Sequence, residues 1–252
     1  MNPNTRTRLL STIAILLIVG AVVFFGYRMI GGAATRIGEW FDRGDRQHSI
    51  GEKARTEAGN GARTAVPIAE ELGEFATIAA QGGWSIEIEQ GDYSVDVTAN
   101  ERAVDRVEVF TTGETLRLEV RPGWDSIATN LTARITLPAL ERLELDGGAD
   151  VRLSNVGSER LAIEVNGAAS VNATGGAFEN LVLDVDGAAS IDFSESSVVN
   201  ANVDMSGAGN FNVRMAGGEL TGSLSGVGNV TYSGEVGVES IRIDGLGRVR
   251  ER

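Results

Sequence analysis

The chain has 252 residues, no Cys, one His and a formal charge of −13, with 33 Gly against 8 Phe, 3 Tyr and 3 Trp. These counts exclude disulfides, thiolate nucleophiles and Cys/His zinc sites, and they suit a thin core of small residues with many tight turns. Residues 1–74 hold 9 basic and 8 acidic side chains, whereas residues 75–252 hold 13 and 27, so the C-terminal part repels phosphate backbones and argues against nucleic acid as a partner.

Residues 1–8 form a short tail carrying Arg6 and Arg8. The run that follows, from Leu9 to Tyr27, is uncharged and mostly Leu, Ile, Val, Ala and Phe. As a helix rising about 1.5 Å per residue it would cover about 28 Å, close to the hydrocarbon thickness of a bilayer. The run predicts a transmembrane signal-anchor helix over residues 9–30. It exceeds the usual signal-peptide core, and Arg28 stands between it and a poor small-residue cleavage site, Gly31-Gly32-Ala33, so an uncleaved anchor is favoured. A cell-membrane protein with a single pass is expected, its C-terminal domain extracytoplasmic (periplasmic). The short basic tail supports that orientation, while Arg28, Arg36, Arg43 and Arg46 beyond the span count against it.

Residues 31–74 predict a flexible polar linker, in which Ile37, Trp40 and Phe41 suit one short interfacial helix. His48 lies in this linker with no second ligand near it, as a solvated residue would.

From residue 75 the chain alternates with period two, which is the signature of strands with one apolar face. Ile86 and Ile88 lead to Gly91 and then Val95 and Val97. Val107 and Val109 lead to Gly113 and then Leu116, Leu118 and Val120. Leu131, Ala133, Ile135 and Leu137 make a third run, after an inserted loop carrying Trp124. Residues 139–252 are far more regular. Corners at Gly147, Gly167, Gly187, Gly207, Gly226 and Gly245 recur at a near-constant spacing, the mark of a solenoid. Two positions before each stand Leu145, Val165, Val185, Met205, Leu224 and Ile243; four after each stand Val151, Val171, Ile191, Phe211, Val230 and Val249. Between the apolar positions, Glu144, Glu164, Asp184, Asp204, Ser223 and Arg242 should face solvent.

A strand, a Gly-led corner and a second strand cannot bury their apolar face alone, but stacked copies can. The reading is an all-β right-handed parallel β-helix (a solenoid of about 20 residues per coil) over residues 75–252, preceded by one N-terminal transmembrane helix. Residues 75–138 are its divergent N-terminal coils and 139–252 its regular ones. Arg248, Arg250 and Arg252 would guard the last edge by charge. Val151, Val171, Ile191, Phe211, Val230 and Val249 should form one inward stack, with Val165, Val185 and Met205 in a second.

The repeated corners Ser206 to Asn210 and Ser225 to Asn229, and the Leu137-Pro138-Ala139-Leu140 step before the first strong repeat, resemble a bacterial family. It is the putative auto-transporter adhesin head GIN domain family, and the resemblance covers about residues 75–252. It implies a β-helical domain of an exported or envelope protein and transfers no site residue.

Each candidate site has a plainer explanation. The outward row Arg152, Asn172, Asp192, Asn212, Thr231 and Arg250 reads as a solvated sheet face rather than a catalytic row. Asp146, Asn166, Asp186 and Asp244 offer oxygen ligands for calcium, but capping of their own turns accounts for them without an ion. Trp124 suits either recognition or covering the hydrophobic column. No catalytic, cofactor-binding or metal-binding residue is assigned, no cofactor is expected, and the chain is not expected to be an enzyme. The expected function is a non-catalytic, membrane-anchored envelope or surface module presenting a rigid β-helical face for adhesion or protein interaction. The partners expected are the membrane, through residues 9–30, and a protein or carbohydrate ligand at the envelope. The alternative is a carbohydrate-active enzyme or carbohydrate-binding module, which would need two or three acids converging in one groove.

Overall fold

Alternating side chains favour strands, and strand accounts for almost all of the chain that the computed structural model describes: residues 63–66, 72–101, 103–121 and 131–252. The strands are β1 (Arg63–Ala65), β2 (Thr77–Gln90), β3 (Ser94–Asn100), β4 (Val107–Thr112), β5 (Thr115–Val120), β6 (Leu131–Leu137), β7 (Arg142–Ser154), β8 (Ser158–Ala216), β9 (Glu219–Glu235) and β10 (Val238–Glu251). A 3-10 turn at Val104–Arg106 is the only helical element among the described residues.

The repeat appears in the register. β7, β8, β9 and β10 pair parallel, with Gly147 opposite Gly167, Gly207 opposite Gly226, and Gly226 opposite Gly245. β8 alone runs through the corners at Gly167, Gly187 and Gly207. The equivalent apolar residues stack inward. Val151, Val171, Ile191, Phe211 and Val230 are at most 1% exposed, and Val165, Val185 and Met205 are also buried; Val249, in the last coil, is half-buried. At the corners from Gly147 to Gly226, Gly is required for two reasons at once. Gly187 has φ +135°, and a Cβ there would collide with the carbonyl oxygen of Gly167 in the coil below.

The expected uniformly parallel β-helix is corrected by the first half of the domain. The sheet is mixed: β1 pairs antiparallel with β3, β3 with β6, and β4 with β5. Nor do its strands stack in chain order. β2 lies between later segments, pairing parallel with β5 and β6 on one edge and with β7 on the other. Its Gly82-Gly83 corner matches Gly147-Gly148 residue for residue. The indole of Trp84, buried, donates from Nε1 to the carbonyl of Gln81 at 3.0 Å and so braces that corner. Gly113, expected as a coil corner, instead sits with Glu114 in the tight turn of the β4–β5 hairpin, where Thr112 faces Thr115. The physical reason is that apolar alternation sets which face is buried, not whether the neighbouring strand runs parallel or antiparallel.

The expected transmembrane helix over residues 9–30 is not part of the described structure. No helix among the described residues is long and apolar enough to cross a membrane, and residues 9–30 lie outside the described part. His48 and Trp124 lie outside it too.

Candidate functional site

Because successive coils repeat in register, each outward side chain is stacked on its counterpart, about 4.8 Å away across neighbouring strands. On the arm before the Gly corner this produces a band of acid. Glu144 faces Glu164, Asp184 occupies the same repeat position, and Asp204 faces Ser223. Asp146 and Asp186, two positions along, widen it. Glu164, Asp184, Asp204, Asp146 and Asp186 are exposed. Arg142 forms ion pairs with both Glu144 and Glu164 at one end. Further along, Asp204 accepts from the Ser223 hydroxyl at 2.6 Å, a neutral partner that leaves its charge uncompensated. The row ends in Arg242, itself paired with Asp244 at 2.7 Å.

On the arm after the corner, the row Arg152, Asn172, Asp192, Asn212, Thr231 and Arg250 is stacked as the repeat requires. Arg152, Asp192 and Asn212 have partners close by. Asp192 accepts the Ser194 amide at 2.9 Å and the Asn212 side-chain amide at 3.4 Å, and Arg152 lies 3.5 Å from Asp150. The neighbouring row does the same: Asn229 donates to Asn210 at 3.0 Å and Arg248 to Asn229 at 3.2 Å. Asp146, Asn166, Asp186 and Asp244 are all exposed at their corners. Among the described residues no group of three or more His, Cys, Asp or Glu is placed to hold a metal ion.

One feature lies outside these rows. A shallow recess of about 480 Å³ is lined by Gly217, Tyr232, Gly234, Glu235, Val236, Gly237 and Glu251. The Tyr232 hydroxyl donates to Glu239 at 2.7 Å. That bond raises the phenol pKa above its ordinary value, with burial and the charges of Glu239 and Glu251 adding in the same direction. A phenol so held stays protonated. Glu235 and Glu251 both lie open to solvent. The repeat could not reveal this recess. Tyr232 and Glu251 are register partners, replacing the apolar Leu153, Ala173, Phe193 and Val213 of earlier coils, but Glu235 and Glu239 belong to other positions.

Comparisons with known proteins bear on the family and the fold. The family described as "Putative auto-transporter adhesin, head GIN domain" matches residues 74–236. A solved structure titled a putative adhesin from Bacteroides fragilis superposes with a TM-score of 0.60 at 17% identity, covering 76% of this chain and 96% of that one. Two others come from Parabacteroides distasonis. One, titled a putative adhesin, has a TM-score of 0.45 at 20% identity and covers 77% and 98% of the two chains. The other, titled a putative lipid binding protein, has a TM-score of 0.41 at 18% identity and covers 76% and 97%. The first of the three supports the fold, and the other two are too distant in shape to add to it. No curated protein matches the sequence.

Proposed function

The chain belongs to the "Putative auto-transporter adhesin, head GIN domain" family, and on that premise we propose that it is a non-catalytic adhesion module working outside the cytoplasm. Its contact surface is the acidic band of the first arm, and its ligand is a protein surface rich in Lys and Arg. One observation carries this reading: Glu144, Glu164, Asp184 and Asp204 occupy one outward position of successive coils, and Arg142 offsets only the first two. Strands locked by parallel pairing hold these carboxylates in place before any partner arrives. Little ordering is then lost on binding, and the summed field speeds encounter with a basic surface.

The test uses the immobilised full chain and its Asp184→Lys/Asp204→Lys variant, each challenged with an extract of envelope proteins. The wild type should retain basic proteins at low salt and release them near 1 M salt, where the screening length falls to about 3 Å. The variant should retain none of them. Equal retention by the two proteins would refute the acidic band as the contact surface. Location has a separate test. A reporter that works only outside the cytoplasm, fused after Arg252, should be active, and a reporter active only in the cytoplasm would overturn the placement.

A further inference from the structure

The parallel stack reaches an edge at β10. This strand pairs with β9 over its whole length, from Val238 opposite Glu219 to Glu251 opposite Tyr232, and with no other strand among the described residues. One row of its backbone N–H and C=O groups therefore faces away from the sheet. Its inward residues continue the core rows without cover. Ile241 and Val249 are half-buried, and Ile243 is 37% exposed. Leu246, at the corner, is 75% exposed. The charges do not guard this edge by uniform sign, because Glu239, Asp244 and Glu251 are interspersed with Arg242, Arg248 and Arg250.

We propose that β10 is a homodimerisation edge, on which a second copy of this chain lays its own β10 antiparallel about a two-fold axis at Leu246. Two copies of one edge that meet in a closed, isologous contact must run antiparallel. Directly opposed residues of an antiparallel pair share a face, so the axis must pass through a residue rather than between two. The axis at Leu246 sets Leu246 against Leu246, Ile243 against Val249, and Asp244 against Arg248, the last two contacts each made twice. It also sets Gly245 against Gly247, so both copies turn their corners at the same place. Moving the axis to Gly245 opposes Arg242 to Arg248 and Glu239 to Glu251, and moving it to Gly247 opposes Leu246 to Arg248 and Arg242 to Arg252. The favoured register sets Ile241 against Glu251 at its outer end. One like-charged contact, Arg242 with Arg250, remains in the favoured register, and Arg242 already has Asp244 at 2.7 Å to compensate it. The two hydrophobic columns become one through the pairing. A strand from an unrelated protein would satisfy the same backbone groups but has no reason to meet this self-complementary pattern of Leu, Ile/Val and Asp/Arg.

The chain has no Cys, so a single introduced thiol reports its own neighbours. Leu246→Cys in the full chain should oxidise to a disulfide-linked dimer. Val227→Cys, exposed at the equivalent position one coil below, should not. Its counterpart in the second copy lies three strand spacings away, about 14 Å, and a disulfide requires Cα atoms within about 7 Å. Asp244→Arg should weaken the dimer at least tenfold in light-scattering dilution, and Asp244→Arg/Arg248→Asp should restore it, which a mere folding defect would not allow. Circular dichroism of each variant checks the fold. A wild type that is monomeric at tens of micromolar would overturn the proposal. So would cross-linking at residue 227 but not at 246, or capture of a different protein's strand in place of a second copy.

Discussion

The stack from β7 to β10 and the cap from β1 to β6 use the same alphabet of alternating residues and reach different topologies. In the stack, each strand meets the segment one repeat away, always in parallel. In the cap, three of the pairings are antiparallel, and β2 is held between strands that follow it in the chain. The difference is one of chain separation rather than composition. Alternation buries a face in both regions, while a constant spacing additionally fixes the neighbour and its direction. A repeat dictates its own register, whereas a cap has to be assembled from specific pairs.

The comparison can be tested most severely at the centre of the stack. Ile191 is fully buried between equivalent apolar residues. Ile191→Asp would bury a carboxylate with no base in its row and should cost several kcal/mol in a denaturant melt, a large part of the stability of a domain. Corner glycines separate the two regions next. Gly187→Ala meets both a φ of +135° and the carbonyl of Gly167, and should cost about 2–3 kcal/mol. Gly113→Ala, in the cap hairpin, has a φ of +60° and open space around its Cβ, so about 1 kcal/mol is expected. Equal losses at these two sites would show that stacking does not constrain the corners. Asp192→Ala, next to Ile191 but on the outer face, should cost about 0.5–1 kcal/mol for the bonds to Ser194 and Asn212. The smallest effect is at Tyr232. Its folded pKa is raised, so the bond to Glu239 is intact below the ordinary value of 10.0 and is lost as pH rises through the higher folded value. Compared with the wild type, an absorbance titration of Tyr232→Phe should lack a phenol that ionises above the ordinary value of 10.0; loss of one ionising below that value would contradict the assignment.

The same contrast explains what could be read in the sequence. The corners from Gly147 to Gly245 were legible with the correct inward and outward rows, because the spacing repeats. The corner at Gly82 was not recognised as a coil, although Ile78, Ala80, Gly82 and Ile86 match Leu143, Leu145, Gly147 and Val151 position for position. Its partner, Gly147, comes only after all of β3 to β6, beyond any periodic search. The turn at Gly113 looked like a further corner, since a hairpin and a coil corner both place Gly between alternating runs, and the one at Gly91 joins β2 to β3, which β6 separates in the sheet. The acidic residues of the first arm were recognised as outward-facing, but their merging into one band, offset by Arg142 at only one end, required the side-chain contacts. The recess at Tyr232 required a departure from the repeat, which a repeat-based reading averages away.

The position of β2 also sets an order of events. Thr77 finds its partners only when Thr115 and then Arg142 have been made, far along the chain. Each coil beyond β7 needs only the coil just before it, a loop closure of about constant and modest entropy. During synthesis β2 therefore has no partner on either edge until β5 to β7 emerge, and pairing with β7 closes the longest chain separation in the sheet. After that the remaining coils add one at a time, like a zipper whose first tooth is the hardest to set.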